Sequence, residues 1–597
     1  MVTSLTITEV QPSLARTLHG SGTSISHDGP ERFKVKLASS SQLGSVLTAM
    51  EKEGAKVAAM DTRAGIVTDR LERVALWEQW LGEAAAATKQ RCGRCASQTL
   101  KRIPGLTGLG NWWCCSCSQI SSPVVEKCEY DSLPFSTAGI RRVPEGATLR
   151  GPVEREDLDW HLARLSKRRA PGPDEVPYEL LTTAPEELKQ ALLDCLNAVL
   201  ANGQPPPVDW LGGLVRFLHK PGGDPLEPNS YRPVCLLNTT YKILSAIVTD
   251  RLYRLCERHG ILDPSQEGFR RLRCTQRQVQ SLHWAIEEAA RDGALLYLAY
   301  LDFENAFNSV DHEAIWRWLT ELNIPDVDLL RTLYARAHYE ADLPYGRSAP
   351  VYLSRGTKQG DILSPLLFNI VFNALLIGIR QSGVGCRTVF GLESAGRGFA
   401  DDLAVTTATP AGLQKILDVI ARFCQWSGMR VKLAKSVITA FDYSRRSDMP
   451  TNDIRYNGAA LACLPAHESF RYLGVRAALS GGRRGASPST ADEVRHVMSS
   501  TKELTRLLAG HQMPLALMVQ SMRSVATARF RYSAALTPWT DAELQELFKI
   551  WMQVEKAAWR LQRSFPSAQF QLPTDHGGAP LEHPRVVLIQ ALSTHIQ

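Results

Sequence analysis

Seven consecutive apolar or aromatic residues, LLYLAYL at Leu295–Leu301, run directly into a carboxylate, Asp302. Farther along, Asp401 and Asp402 stand side by side in GFADDLAVTT with apolar residues on both flanks. An apolar run of this length, ending on a charge, reads as a short buried strand. Most paired aspartates sit in solvated turns. Here the apolar flanks instead place the pair at a tight hairpin inside a sheet, and the strand before Asp302 is expected in the same sheet. Carboxylates left unpaired in such a setting are costly. Oxygen ligands of this kind suit hard divalent cations, and two such cations can drive phosphoryl transfer.

The rest of the chain must accommodate that sheet. At 597 residues it is too long for one compact domain. An apolar fraction of 44% and a charged fraction of 22% are ordinary for a folded protein. The net charge of +7 agrees with a nucleic-acid partner without requiring one. The start, MVTSLTITEVQPS, has neither a basic end nor an apolar core, so no signal peptide is expected. The longest apolar run, Ile362 to Ile379, contains Ser364, Pro365, Asn369 and Asn373. It reads as a buried helix, and no membrane partner is expected.

Helical and strand-like segments alternate from about 156 to 480, which predicts an α+β body. One helix is well marked from Pro410 to Trp426. Thr409 is its cap, Leu413, Ile416, Leu417, Ile420, Phe423 and Cys424 share a face, and Gly428 ends it. A second helical stretch is expected near Thr68 to Ala86. Residues 121–155, with four prolines, read as a linker.

A separate constellation lies near the N-terminus. Cys92-x2-Cys95 is followed, after 18 intervening residues, by Cys114-x2-Cys117. Two thiolate pairs at this spacing suit one tetrahedral, structural Zn²⁺ held by two knuckles. Trp112 and Trp113 precede the second pair, either packing this small element or stacking on bases. Basic groups at 167–169, 270–277 and 483–484 suit phosphate contact, although such a patch alone is more often a solvated face.

Eight blocks in order then carry a resemblance. They are RRAPGPDEVPYELL, LHKPGGDPLEPNSYRPVCLLNTTYKILSAIVTDRL, SQEGFRRLRCTQRQ, YLDFENAFNSVDHEAIW, GTKQGDILSPLLFNI, FADDLAV, SGMRVKLAKS and FRYLGV. Together they resemble the reverse transcriptases of non-LTR (LINE-like) retrotransposons, which are related to group II intron and telomerase enzymes. The resemblance covers about 156–475 and does not reach the cysteines. It implies a right-hand polymerase with fingers and palm at 156–480 and a helical thumb at 481–597, the last possibly truncated. An extension of unknown role (1–85), a zinc ribbon-like element (86–120) and the linker (121–155) would precede them.

The resemblance also implies roles. Asp302, Asp401 and Asp402 match the catalytic carboxylates that hold two Mg²⁺ ions, with the Phe303 carbonyl as a further metal contact. Phe307 matches the aromatic under the incoming sugar, which excludes a 2′-hydroxyl. Arg232 and Lys220 match triphosphate contacts, and Lys435 a lysine near the leaving pyrophosphate. Gln359 and Gly360 match contacts to nucleotide and template. Tyr472, Leu473 and Gly474 match the hairpin that grips the primer end. Four positions depart from the pattern: Phe399 for Tyr, Lys358 for Arg, Asn308 for Asp and Lys432 for Asn. None removes a metal ligand.

The function implied is RNA-directed DNA synthesis from dNTPs on an RNA template with a DNA primer or target, in an intracellular ribonucleoprotein, nuclear and/or cytoplasmic. The alternatives are a catalytically silent, domesticated relative acting as an RNA-binding protein, a group II intron-type maturase, and an RNA-dependent RNA polymerase. Phe307 disfavours the last.

Overall fold

In this computed structural model, residues 133–597 are described apart from 134, 225–229, 344–345, 388–392, 483–486, 511–514, 559–560, 562–582 and 597. Of residues 1–132, only the backbone of strands between Val2 and Val125 is described. Five of those strands form one sheet in the order 24–27, 32–36, 2–8, 56–62, 65–67. The helical stretch expected near Thr68 to Ala86 lies outside the described residues.

The chain divides into two compact units, each discontinuous in sequence. The first comprises Met1–Asp263, Glu304–Ala374 and Arg422–Arg430; the second comprises Pro264–Phe303, Leu375–Ala421 and Val431–Gln597.

In the first unit a sheet is built on Gly212–His219. It pairs antiparallel with Tyr231–Leu237 on one side and parallel with His338–Leu343 on the other. The helix Thr239–Arg258 follows directly, with Tyr241, Leu244, Val248 and Leu252 buried along one face.

In the second unit the strand Leu295–Leu301 lies between Asp402–Thr407 and Val437–Asp442, antiparallel to both. Having a neighbour on each edge and packed layers on its faces, it must be apolar throughout, as its sequence is. Gly396–Phe399 extends the sheet beyond Asp402–Thr407. The helix Thr275–Arg291 covers one face through Val279, Leu282, Ile286 and Ala289, at the three- and four-residue spacing of a single stripe. These side chains share one core with Leu296, Leu298 and Tyr300 of the strand. Each fully buried aliphatic side chain contributes about 1.5–3 kcal/mol.

The same unit ends in helices Ala491–Gly510, Leu515–Ser521 continuing to Ala534, Asp541–Ala558 and Pro584–Ile596. They enclose their own core, in which Val497, Met522, Phe530, Leu547, Trp551 and Val587 are buried.

Two helix expectations hold. The helix Pro410–Ser427 begins where the Gly412 N–H donates to Thr409 Oγ1 at 3.0 Å, and it ends before Gly428, whose φ is +76°. All six residues predicted for its apolar face are buried. Among the described residues, Ser364–Gln381 is the one helix long and apolar enough to cross a membrane, and it is mostly buried within the protein.

Candidate active site

The hairpin Gly396–Thr407 pairs Phe399 with Asp402, leaving Ala400 and Asp401 as a two-residue turn. Its first turn residue takes φ +54°. A glycine is usual at such a position, because Cβ disfavours the left-handed region by roughly 1–2 kcal/mol. Ala400 is held there by Gln266. The Gln266 Oε1 accepts from the Ala400 N–H at 2.8 Å and the Gly268 N–H at 2.9 Å, and its Nε2 donates to the Ala400 carbonyl at 3.1 Å. Gln266 is 1% exposed.

Its segment lies along the hairpin edge. The Gly398 N–H donates to Ser265 O and the Glu267 N–H to Gly398 O, both at 3.0 Å. Gly268 approaches so closely that a Cβ there would lie 2.3 Å from Ala400 N. The turn that presents Asp401 is therefore clamped from behind by backbone and amide groups.

Asp302 enters from the neighbouring strand. Leu301 pairs with Leu403, so Asp302 follows at the level of Asp402. Its N–H donates to Ser436 Oγ at 3.1 Å, and its carbonyl accepts from the Lys432 N–H at 2.7 Å. Phe303, buried, bridges to Val431. Lys435 is exposed in the short turn Leu433–Lys435 between those two anchors.

The three carboxylates feel one another. Although solvent reaches one side of it, the Asp402 carboxyl is pushed up to about 6 by desolvation, then by the charges of Asp401 and Asp302. Desolvation also raises Asp401, with the Asp302 charge adding to it. Among the described residues, none of the three forms an ion pair with Lys or Arg. Among the described residues no three acidic, His or Cys side chains stand close enough together to hold a metal ion. Three carboxylates at neighbouring strand ends, two of them disfavoured as anions by burial and then by one another's charge, are oxygen donors of the kind a hard divalent cation takes.

The hairpin of Phe470–Tyr472 and Val475–Ala477 joins the same core. The Tyr472 hydroxyl donates to the Arg397 carbonyl at 3.2 Å, next to the strand pairing that ends in the Ala400–Asp401 turn. The Arg397 guanidinium is buried and donates to Ser281 Oγ at 3.2 Å and Thr406 Oγ1 at 2.8 Å.

Of the predicted nucleotide contacts, Lys220, Arg232, Phe307, Gln359 and Gly360 fall in the first unit, and Phe303 and Lys435 in the second. The Phe307 ring stacks on Phe368, centroids 4.2 Å apart, and its carbonyl accepts from the Thr357 N–H at 2.7 Å. Gly360 has φ +90°, and a Cβ there would lie 2.3 Å from the Cys235 carbonyl. The Gln359–Gly360 turn thus lies against the strand that carries Arg232, whose side chain is exposed. Lys220 follows the paired strand, its N–H donating to Ser230 O at 2.7 Å.

Beneath the Gln359–Gly360 turn, Lys358 is fully buried. Its ammonium sits 4.2 Å from the centre of the Tyr241 ring and 5.4 Å from that of Tyr334, and burial lowers its pKa to about 8. Asp361 accepts from the hydroxyls of Tyr241 and Ser245. One turn flank is therefore held by aromatic faces and the other by hydroxyls.

Of the predicted zinc ligands, Cys92 and Cys114 end the backbone strands Gln90–Cys92 and Trp112–Cys114. Cys95 and Cys117, and the side chains of all four, lie outside the described residues. Sequence reading gave no role to Gln266, Gly268, Ser436 or Arg397. The available signal was Gln266 and Gly268 together within a recognised block, SQEGF.

Residues 218–477 match the family model described as reverse transcriptase (RNA-dependent DNA polymerase). The chain is 26% identical over 415 residues to a probable RNA-directed DNA polymerase from transposon X-element of Drosophila melanogaster, covering 66% of this chain and 43% of that protein. It is 26% identical over 339 residues to a retrovirus-related Pol polyprotein from type-1 retrotransposable element R2 of Popillia japonica, covering 56% and 46%. The RNA-directed DNA polymerase from mobile element jockey of Drosophila melanogaster is 24% identical over 330 residues, covering 54% and 35%. The chain thus spans less than half the length of these curated relatives. The carboxylate-bearing strands and the five predicted nucleotide contacts Lys220, Arg232, Phe307, Gln359 and Gly360 fall inside the matched segment, which is similar to reverse transcriptases of non-LTR retrotransposons.

Proposed function

We propose that this chain is an RNA-directed DNA polymerase of a non-LTR retroelement, extending a DNA primer or nicked target on an RNA template with dNTPs. The single observation that carries the reading is the pair of neighbouring strand ends that brings Asp302 level with Asp402 and next to the Asp401 turn, where desolvation and then mutual charge raise the pKa values of Asp401 and Asp402. Asp302, Asp401 and Asp402, with the Phe303 carbonyl, would hold two Mg²⁺ ions. Their contribution when bound is to acidify the primer 3′-hydroxyl and to offset charge on the departing pyrophosphate.

The chain's own residues do the positioning. The Ala400–Asp401 turn and the Lys432 and Ser436 anchors fix two of the carboxylates. Arg232, with its forked guanidinium, and Lys220 suit triphosphate oxygens, and Lys435 suits the pyrophosphate. Gln359 and Gly360 would meet the nucleotide and template, and Tyr472, Leu473 and Gly474 the primer end. The sheet around Leu295–Leu301 serves as palm, the sheet around Gly212–His219 as fingers, and the helices from Ala491 onward as thumb. An RNA template implies an intracellular ribonucleoprotein, nuclear and/or cytoplasmic.

Sugar selection tests the reading. The Phe307 ring, fixed by stacking on Phe368, would collide with a 2′-hydroxyl. Phe307→Ala is expected to lower the ratio of dNTP to rNTP kcat/KM on the order of tenfold or more. Single-nucleotide incorporation on a primed RNA template measures it. An unchanged ratio would leave Phe307 a packing residue.

The cysteines form a second, structural site in this proposal. The purified full chain is expected to carry about one Zn²⁺, lost in a Cys92→Ser/Cys114→Ser double variant. Elemental analysis reads the result. Zinc-selective chelation with Mg²⁺ maintained is expected to leave basal primer extension intact, since no catalytic carboxylate belongs to that element. A zinc-free wild-type chain would return the four cysteines to ordinary packing roles.

A further inference from the structure

We infer that Tyr532 is a positioning residue, a latch by which the C-terminal helices hold the turn of the Phe470–Ala477 hairpin in place; the inference rests on the polymerase reading for what that hairpin grips. The turn itself is strained. Tyr472 pairs with Val475, so Leu473 and Gly474 are its two central residues, at φ +46° and +89°. Two left-handed residues make the turn type that suits a two-residue hairpin, but asparagine or glycine is usual at the first position. A leucine there costs free energy and persists only where its surroundings fix it.

Tyr532 supplies that fixing. It lies on the helix Ala528–Ala534, which continues a π-helical segment, Met522–Thr527, a form often found at functional positions. Its hydroxyl donates to the Leu473 carbonyl. A carbonyl can only accept, so the one phenolic proton goes there, and the Thr275 hydroxyl, 2.9 Å away, is the second partner. Thr275 opens the helix Thr275–Arg291 that covers the carboxylate-bearing sheet. The Tyr532 ring also lies against Gly474, where a Cβ would be 3.1 Å from Cε1. One phenol therefore joins three elements at a strained turn.

The joint continues inward. Tyr472, the next residue in the hairpin, bonds the Arg397 carbonyl at 3.2 Å. Arg397 lies in the strand that leads into the Ala400–Asp401 turn. Hydrogen bonds thus connect the C-terminal helices to the hairpin, and the hairpin to the strand beside the carboxylates.

Tyr532→Phe in the full chain removes the hydroxyl and keeps the ring. Amide exchange at 470–477 is expected to quicken about fivefold, the scale of one net hydrogen bond. In primer extension, KM for primer–template is expected to rise by a similar factor and products to shorten. The KM for dNTP, and kcat at saturating primer–template, should be unchanged. Unaltered exchange at 470–477 would overturn the latch whatever the activity. Faster exchange with unaltered primer–template KM and product length would also overturn it, since the bond would then be structural only. If the wild-type chain extends no primer, the polymerase reading fails, while the exchange measurement still decides whether Tyr532 holds the turn.

Discussion

Asp302→Ala and Asp401→Ala are each expected to lower kcat for RNA-templated DNA synthesis by roughly 10³-fold or more, the scale for a group whose contribution is made in the transition state. The fold should survive. Asp302 sits at a strand end and Asp401 in a hairpin turn, Asp401 is already destabilised as an anion by desolvation and the Asp302 charge, and neither makes an ion pair among the described residues. Removing one of three crowded carboxylates relieves repulsion. Thermal melting without added divalent cation should therefore be unchanged or higher, and RNA affinity largely retained. Either variant extending primers at the wild-type rate would remove that aspartate from the catalytic set. A large drop in melting temperature would show that its carboxylate serves the fold instead.

Gly268→Ala is expected to lower kcat on the order of a hundredfold, the cost of displacing reacting groups by about an ångström. Its added Cβ would lie 2.3 Å from Ala400 N, and the obstructing atom is backbone, so the turn must move. Gln266→Ala acts on the same turn differently. It strands the buried Ala400 N–H and carbonyl, at about 1–3 kcal/mol for an unsatisfied group. It also frees a left-handed alanine from the contacts that hold it. Both variants should keep their affinity for dNTP, measured by nucleotide binding, because neither residue belongs to the unit that holds Arg232, Phe307 and Gln359. Single-turnover kinetics separates the two effects. Wild-type kcat in Gly268→Ala would mean that the turn is not clamped as described.

Where a local pattern encodes the structure, the sequence was legible. The unbroken apolar run at Leu295–Leu301 has that form because the strand is central in its sheet and buried on both faces. The helix at 410–427 carries its cap, stripe and terminating glycine within twenty residues of sequence. The Asp401–Asp402 hairpin was visible from its flanks, but its details were not. An alanine does not announce a left-handed turn. Gln266 reads as an ordinary polar residue until its partner Ala400, 134 positions away, is placed beside it. Lys358 was noted only as a departure from arginine, yet it lies fully buried against two tyrosine rings that come from distant segments. The compact units interleave along the chain, an arrangement that no reading of consecutive segments displays. In each case the missing information is a long-range pairing, which periodicity does not carry.

The most direct measurement is primer extension by the purified full chain on a defined RNA template, with Mg²⁺ and either dNTPs or rNTPs. The account predicts complementary DNA from dNTPs, absent without Mg²⁺, absent in Asp302→Ala, and strongly preferred over ribonucleotide products. No extension by a folded, RNA-binding wild-type chain, or extension that Asp302→Ala leaves intact, would contradict it.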